Sequence, residues 1–229
     1  MKLSSKIFFT CCIITAFILF IIILLFIFSP SEFPPLAKNE KLEMLLVSEN
    51  DYDISRGLYL LLKNDSVNKI QYLPLIIQNL KKNDDGIKCN ALQVIVKIGK
   101  NAKVAIPLVL EIFENDQENM NVRAIAASAL IQIGDDSDRI ISSLIKIGDS
   151  CNQNELRNSI IRSLGMLDKD MFGVSLFIKK YVNDKDMNLR IASRNALSSI
   201  TKDSYWKSKP TQDYISVESL VSEKIENNK

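Results

Sequence analysis

Residues 119–134 read NMNVRAIAASALIQIG, a run in which apolar side chains recur at the spacing of one helix face. The run recurs in altered form around basic residues that are separated by 35, 34 and 33 positions: Lys88, Arg123, Arg157 and Arg190. Counted from each basic residue, positions −1, +3, +7 and +10 carry apolar or small side chains. In the quoted copy these are Val122, Ala126, Leu130 and Ile133. These offsets trace one stripe of a helix with 3.6 residues per turn. The sequence therefore predicts four copies of a helix that buries the same stripe.

A second helix is predicted after each copy, because apolar residues again align at spacings of 33, 35 and 34: Ile76, Val109, Leu144 and Ile178. Arg56 marks a weaker copy further upstream. The predicted units are 53–84, 85–118, 119–151, 152–184 and 185–205. A hairpin of about 34 residues cannot bury its stripe alone, but stacked hairpins can. An ordinary helical bundle would not need the register to recur. We therefore expect an all-α, HEAT-like α-solenoid of about five helical-hairpin repeats, preceded by one transmembrane helix.

The pattern N-x-x-V-R-x-x-A-x-x-A-L-x-x-I-G at residues 119–134 resembles the HEAT repeat, in the variant also seen in phycobilin-lyase-like proteins. Residues 186–201, DMNLRIASRNALSSIT, match it as well, whereas the unit at 152–184 departs from it at Met166-Leu167-Asp168. The resemblance covers about two thirds of the chain. It implies a scaffold whose second helices line a concave, partner-binding face, and it says little about function because the repeat is mostly a scaffold.

Residues 8–28, FFTCCIITAFILFIIILLFIF, carry no charge. As a helix they would measure roughly 31 Å, which matches a hydrocarbon core of about 30 Å. We expect a single transmembrane helix with residues 1–7 in the cytoplasm, because Lys2 and Lys6 precede the span. The alternative is a cleaved secretory signal, which would leave a secreted repeat protein. The apolar core of such a signal is usually shorter, about 7–15 residues.

The expected organisation follows from these segments. Residues 29–52 contain three prolines and form a stiff linker with a possible cap helix. Residues 53–205 form the repeat domain, and residues 206–229 form a C-terminal cap and polar tail. The repeat domain is expected to be exported, either periplasmic or extracellular.

The chain contains no histidine, which excludes His-based triads and His-liganded zinc or iron sites. For the same reason it excludes the dinuclear-iron version of the HEAT-like fold, which depends on His–Glu pairs. Cys89 and Cys151 lack an activating partner, and they are too far apart in the repeat to form a disulfide. The acidic clusters lack the ligand spacing of a calcium loop. We therefore expect no enzyme activity, no cofactor and no metal.

Beyond Lys2 and Lys6, the chain carries 27 basic and 27 acidic residues. A neutral domain attracts nucleic acid weakly, so nucleic-acid binding is not expected.

Each predicted first helix is preceded by a residue suited to an N-cap: Asp53, Asp85, Asn119, Asn154 and Asp186. The recurring basic residue follows close behind, where the helix dipole disfavours a cation. We expect neighbouring aspartates to compensate in a structural salt-bridge ladder: Asp84, Asp85, Asp116, Asp184 and Asp186. An anion-binding ladder is the alternative.

Partner binding is predicted at polar residues that lie off the apolar stripe of the second helices: Lys69, Gln71, Lys103, Arg139, Lys146, Lys179 and Lys180. Trp206 is expected to cap the open end of the array, or else to anchor a partner. The predicted function is a membrane-anchored scaffold for protein–protein interaction. The alternative is a ligand-handling enzyme that resembles the phycobilin lyases and binds a linear tetrapyrrole.

Overall fold

The structure is a computed structural model that describes residues 41–134, 138–168, 170–171 and 173–203. Every regular element in these ranges is helical, which confirms the all-α prediction. Short 3-10 helices cover Lys69–Tyr72 and Gly99–Ala105. The α-helices are α1 Leu42–Leu46, α2 Asp51–Lys63, α3 Leu73–Asn79, α4 Asp85–Ile98, α5 Ile106–Glu114, α6 Met120–Gln132, α7 Asp138–Ser150, α8 Asn154–Leu164, α9 Val174–Lys179 and α10 Met187–Thr201.

The predicted transmembrane segment at residues 8–28 and the predicted tail at 206–229 lie outside the described residues. None of the helices within the described ranges is long and apolar enough to cross a bilayer.

The recurring stripe forms the core, as the pattern predicts. The residues at offsets −1, +3 and +7 are at most 1% exposed in all four copies. Leu130 of α6, Ile95 of α4 and Leu164 of α8 are each 0% exposed. The aligned residues of the predicted second helices, Ile76, Val109, Leu144 and Ile178, are also fully buried.

The helices form two rows, which we call the front helices (α2, α4, α6, α8 and α10) and the back helices (α1, α3, α5, α7 and α9). Each front helix contacts the front helices before and after it. Each back helix packs against the front helix that follows it in the chain. The sequence-based units instead joined each front helix to the back helix after it, so the observed hairpins are shifted by one helix.

Helix α1 was expected only as a possible cap, and the structure makes it the back helix of the first hairpin. It packs against α2 and α3. Gly57 permits the close approach, because a Cβ there would lie 3.0 Å from the Cβ of Leu45. The side chain of Asn79 donates to the carbonyl of Leu46, 3.0 Å away, and so satisfies the end of α1. The packed helices therefore begin at Leu42, upstream of residue 53.

The N-cap prediction is correct at Asn119 and Asp186. It is wrong for three helices, which begin one or more residues earlier, after Asn50, Asp84 and Gln153.

Asp85 and Asn154, the predicted caps of two of those helices, instead join neighbouring repeats. Asn119 donates to Asp85 at 2.7 Å, and Asn154 donates to Asp186 at 3.0 Å. Amides of Asn188 and Leu189 donate to Asp186, and the Asn188 hydrogen bond is the main cause of its lowered pKa.

The recurring basic residues do not pair with the aspartate side chains of the predicted salt-bridge ladder. The prediction is therefore wrong about which groups these basic residues bind. Lys88 pairs with Glu118 at 2.6 Å. The three arginines bind backbone carbonyls near the ends of the preceding back helices. Arg123 donates to Phe113 O at 3.0 Å, Arg157 to Gly148 O at 2.9 Å, and Arg190 to Asp184 O at 2.6 Å.

These partners follow from helix chemistry. The last carbonyls of a helix have no partner within the helix and carry partial negative charge. A cation near the start of the next helix satisfies them and so fastens a back helix to the front helix after it.

Substituting Leu130→Asp should destabilise the domain by about 4 kcal/mol or more, because it buries an unpaired carboxylate between Ile95 and Leu164. The measurement is thermal unfolding followed by circular dichroism on the full chain in detergent. Gln132→Asp, on the exposed side of the same helix, should change stability by less than about 0.5 kcal/mol. Equal melting of the two variants would contradict the packing of α6.

Substituting Arg123→Ala should cost about 2 kcal/mol, because a buried charged donor is lost and Phe113 O is left unsatisfied. Chemical denaturation of the purified chain measures this loss. Arg162→Ala is the matched control on a neighbouring front helix, where the side chain is exposed. If both variants were as stable as the parent, the carbonyl contact would be energetically unimportant.

Candidate docking groove

The partner-binding residues predicted from the sequence all lie on the back helices or on the segments next to them. Lys69 and Gln71 lie in the 3-10 helix 69–72, and Lys103 lies in the 3-10 helix 99–105. Arg139 and Lys146 lie on α7.

Lys179 ends α9 and Lys180 follows it. Lys180 pairs with Asp149 at 2.8 Å, and Lys69 donates to Asn64 O at 2.8 Å. Trp206 lies outside the described residues.

Lys146 lines a cleft of about 620 Å³ between the ends of α5 and α7. The cleft also contains Glu114, Asp116, Arg123 and Cys151. Its charges are mixed, and several groups already have protein partners. For example, Ser143 donates to Glu114 at 2.7 Å. The cleft is therefore polar and largely self-satisfied.

The front helices carry a different surface, which sequence reasoning did not single out. Two clefts of about 550 and 340 Å³ lie along it, and Arg162 lines both. We call the two together the front groove. The larger cleft is lined by Leu62, Gln93, Val96, Lys97, Ala124, Ile125, Ser128, Ser159, Arg162, Ser163 and Met166. The smaller one is lined by Asn158, Arg162, Gly165, Asn188, Ile191, Ala192, Asn195, Ala196 and Ser199.

The groove exists because small residues occupy the outward side of α8 and α10. Ser163 is 3% exposed and Ala196 is 4% exposed, so both lie at the floor. Gly165 lets the two helices approach closely, since a Cβ there would lie 2.7 Å from the Cβ of Ala196. Larger apolar side chains stand at the rim, where Met166 is 42% exposed and Ile191 is 41% exposed. The result is a partly apolar depression open to solvent.

The charges that line the front groove are all positive. Among the described residues, Lys97 and Arg162 are the charged ones that line the clefts, and no described aspartate or glutamate lines either cleft. Lys97 is already engaged by Asp65 at 3.0 Å and by Leu62 O at 2.7 Å. The hydrogen bond and charge of Lys97 lower the pKa of Asp65, so this carboxylate stays ionised near neutral pH. Arg162 has no partner among the described residues, so its charge is uncompensated there.

Four lining side chains form what we call the donor row: Gln93, Ser128, Arg162 and Asn195. They stand at offset +5 from the recurring basic residues, one on each of α4, α6, α8 and α10. Gln93, Arg162 and Asn195 are exposed and Ser128 is half-buried. Every member can donate a hydrogen bond. In the part of the chain that the structure describes, none of the four has a hydrogen-bond partner.

The described part of the chain contains two thiols. Cys89 and Cys151 are both free. Burial, and then the charges of Asp85 and Glu118, raises the pKa of the Cys89 thiol, which lowers its thiolate fraction. Within the described ranges, no group of three or more Cys, Asp or Glu side chains is placed to hold a metal ion.

The sequence did not indicate the front groove, because the predicted units made the back helices the second helices, and the repeat resemblance places partner binding on second helices. In the hairpins that the structure forms, the back helix comes first in the chain and the front helix comes second. The donor row was visible in the alignment as a constant offset outside the apolar stripe, but its exposure was not.

The groove therefore combines a partly apolar lining, unpaired donors and one uncompensated cation. The sequence matches no known protein-family model, and no curated protein is significantly similar to it.

Proposed function

We propose that this protein is a HEAT-like α-solenoid scaffold, held at a membrane by residues 8–28, that binds another protein in the front groove. The observation that carries the proposal is the groove itself, with its apolar floor and its unpaired donor row. Residues 1–7 would be cytoplasmic and the helical domain exported, as the lysines before the span favour.

The solenoid arrangement is supported by the contacts of the front helices with their sequence neighbours. It is also supported by the recurrence of one buried stripe in successive helices. In repeat proteins each unit contacts only adjacent units, and the stacked units expose a long continuous surface. Such a surface suits the binding of an extended partner, whereas a catalytic site needs converging reactive groups.

The predicted candidates on the back helices, Lys69, Gln71, Lys103, Arg139, Lys146, Lys179 and Lys180, stay predictions for a second surface. The front groove ranks above them because its donors are unpaired and line two clefts that share Arg162. Lys69 and Lys180, by contrast, are already engaged by neighbouring residues.

The membrane topology is tested by fusing a reporter to the C-terminus, with one version active only in the cytoplasm and the other only outside it. We expect activity from the exported reporter alone. The same result after Lys2 and Lys6 are replaced by glutamate would show that other signals set the orientation. Activity of only the cytoplasmic reporter in the parent chain would contradict the proposed localisation.

Substituting Ser128→Trp should abolish partner binding, because the indole would fill the front groove between α6 and its neighbours. Ser142→Trp is the matched control, since Ser142 is an exposed serine on the back helix α7. The full chain is cross-linked in intact membranes, extracted in detergent, and its adducts are quantified by mass spectrometry. We expect a stoichiometric adduct in the parent and in Ser142→Trp that is lost in Ser128→Trp. Identical adducts in all three would place the partner elsewhere.

A further inference from the structure

We infer that the front groove binds an extended, acidic peptide segment of the partner protein, with a carboxylate seated on Arg162. This inference rests on the proposed function and names the chemistry of the partner. It follows from three properties of the groove: its charge, its donors and the spacing of its helices.

The charge of the groove selects an anionic segment. Lys97 and Arg162 are the charged lining residues, and within the part of the chain that the structure describes no lining residue is acidic. Because Asp65 already neutralises Lys97, the uncompensated charge is that of Arg162. A guanidinium binds a carboxylate with two parallel hydrogen bonds, and such charge-assisted bonds are among the strongest in proteins. A basic segment would bring like charges together in the same depression.

The donor row selects an extended backbone. Gln93, Ser128 and Asn195 can donate to peptide carbonyls, which an extended chain leaves free and a helical chain has already satisfied. The groove floor contributes apolar contact through residues such as Ile125 and Val96. An extended segment would therefore be held by donors along one side and by apolar contact beneath.

The spacing of the front helices matches such a chain. Packed helices typically lie about 8–10 Å apart, so we expect about that separation between successive members of the donor row. A polyproline II chain rises about 3.1 Å per residue with three residues per turn, so equivalent residues recur about every 9.3 Å. One donor can thus meet every third residue of the bound segment without strain.

The test uses fluorescein-labelled peptides of four Glu-Pro-Val repeats and of four Lys-Pro-Val repeats, which hold the extended form. They are titrated with the full chain in detergent micelles, and binding is followed by fluorescence anisotropy. We expect the acidic peptide to bind at least about tenfold more tightly than the basic one. Equal binding of the two peptides would overturn the inference.

Substitutions in the protein test whether Arg162 is the residue that contacts the acidic peptide. Arg162→Ala should weaken acidic-peptide binding by about tenfold to a hundredfold, as expected for the loss of a charge-assisted contact to a carboxylate. Arg162→Lys should retain more of the binding than Arg162→Ala, and all variants should melt at the same temperature. Lys81→Ala, which removes an exposed lysine just after the back helix α3, should leave binding unchanged. Full binding by Arg162→Ala would overturn the inference.

The backbone contacts are tested with Gln93→Ala and Asn195→Ala, each of which removes one exposed donor of the donor row. Weaker binding of the Glu-Pro-Val peptide by either variant supports these contacts, and full binding by both variants contradicts them. If neither peptide binds but the cross-linked partner is still lost in Ser128→Trp, the acidic segment is excluded and the proposed function stands. If the acidic peptide binds through Arg162 while no partner is cross-linked, the inference stands and the proposed function falls.

Discussion

The burial of one apolar stripe on every front helix is the constraint on which the rest of the structure depends. Leu130 illustrates it, since it lies between Ile95 of the preceding front helix and Leu164 of the following one, and all three are shielded from water. Each front helix buries the same sequence positions against both of its neighbours. The way in which two front helices pack therefore fixes how the next front helix packs. A change in that packing would move the stripe towards solvent and cost the hydrophobic stabilisation of several residues.

The apolar stripe does not determine which back helix pairs with which front helix. Polar contacts determine this pairing. Arg123 and Arg157 bind carbonyls in the last turns of the preceding back helices, and Arg190 binds a carbonyl in the turn after α9. Glycines determine where helices meet most closely, as Gly57 does beneath Leu45. These contacts join each front helix to the back helix before it. They therefore decide which helices constitute a hairpin, which hydrophobic periodicity alone does not specify.

The front groove is a consequence of the same arrangement. The stripe occupies a limited set of offsets on each front helix, so the offsets between them face outward and are free to vary. Where those positions carry small residues, such as Ser163 and Ala196, neighbouring helices leave a depression between them. Arg162 lines both clefts, and its charge has no partner among the described residues.

The helical class, the recurring stripe and the burial of Leu130 could be predicted from the sequence, because periodicity encodes which side of a helix avoids water. Three of the caps could not, because helix ends depend on local hydrogen bonds that several polar residues can supply. The constant offset of Gln93, Ser128, Arg162 and Asn195 was also present in the sequence. Whether those side chains are exposed, unpaired and joined by a groove was decided only by the tertiary structure, because it depends on which helices pack together and how closely.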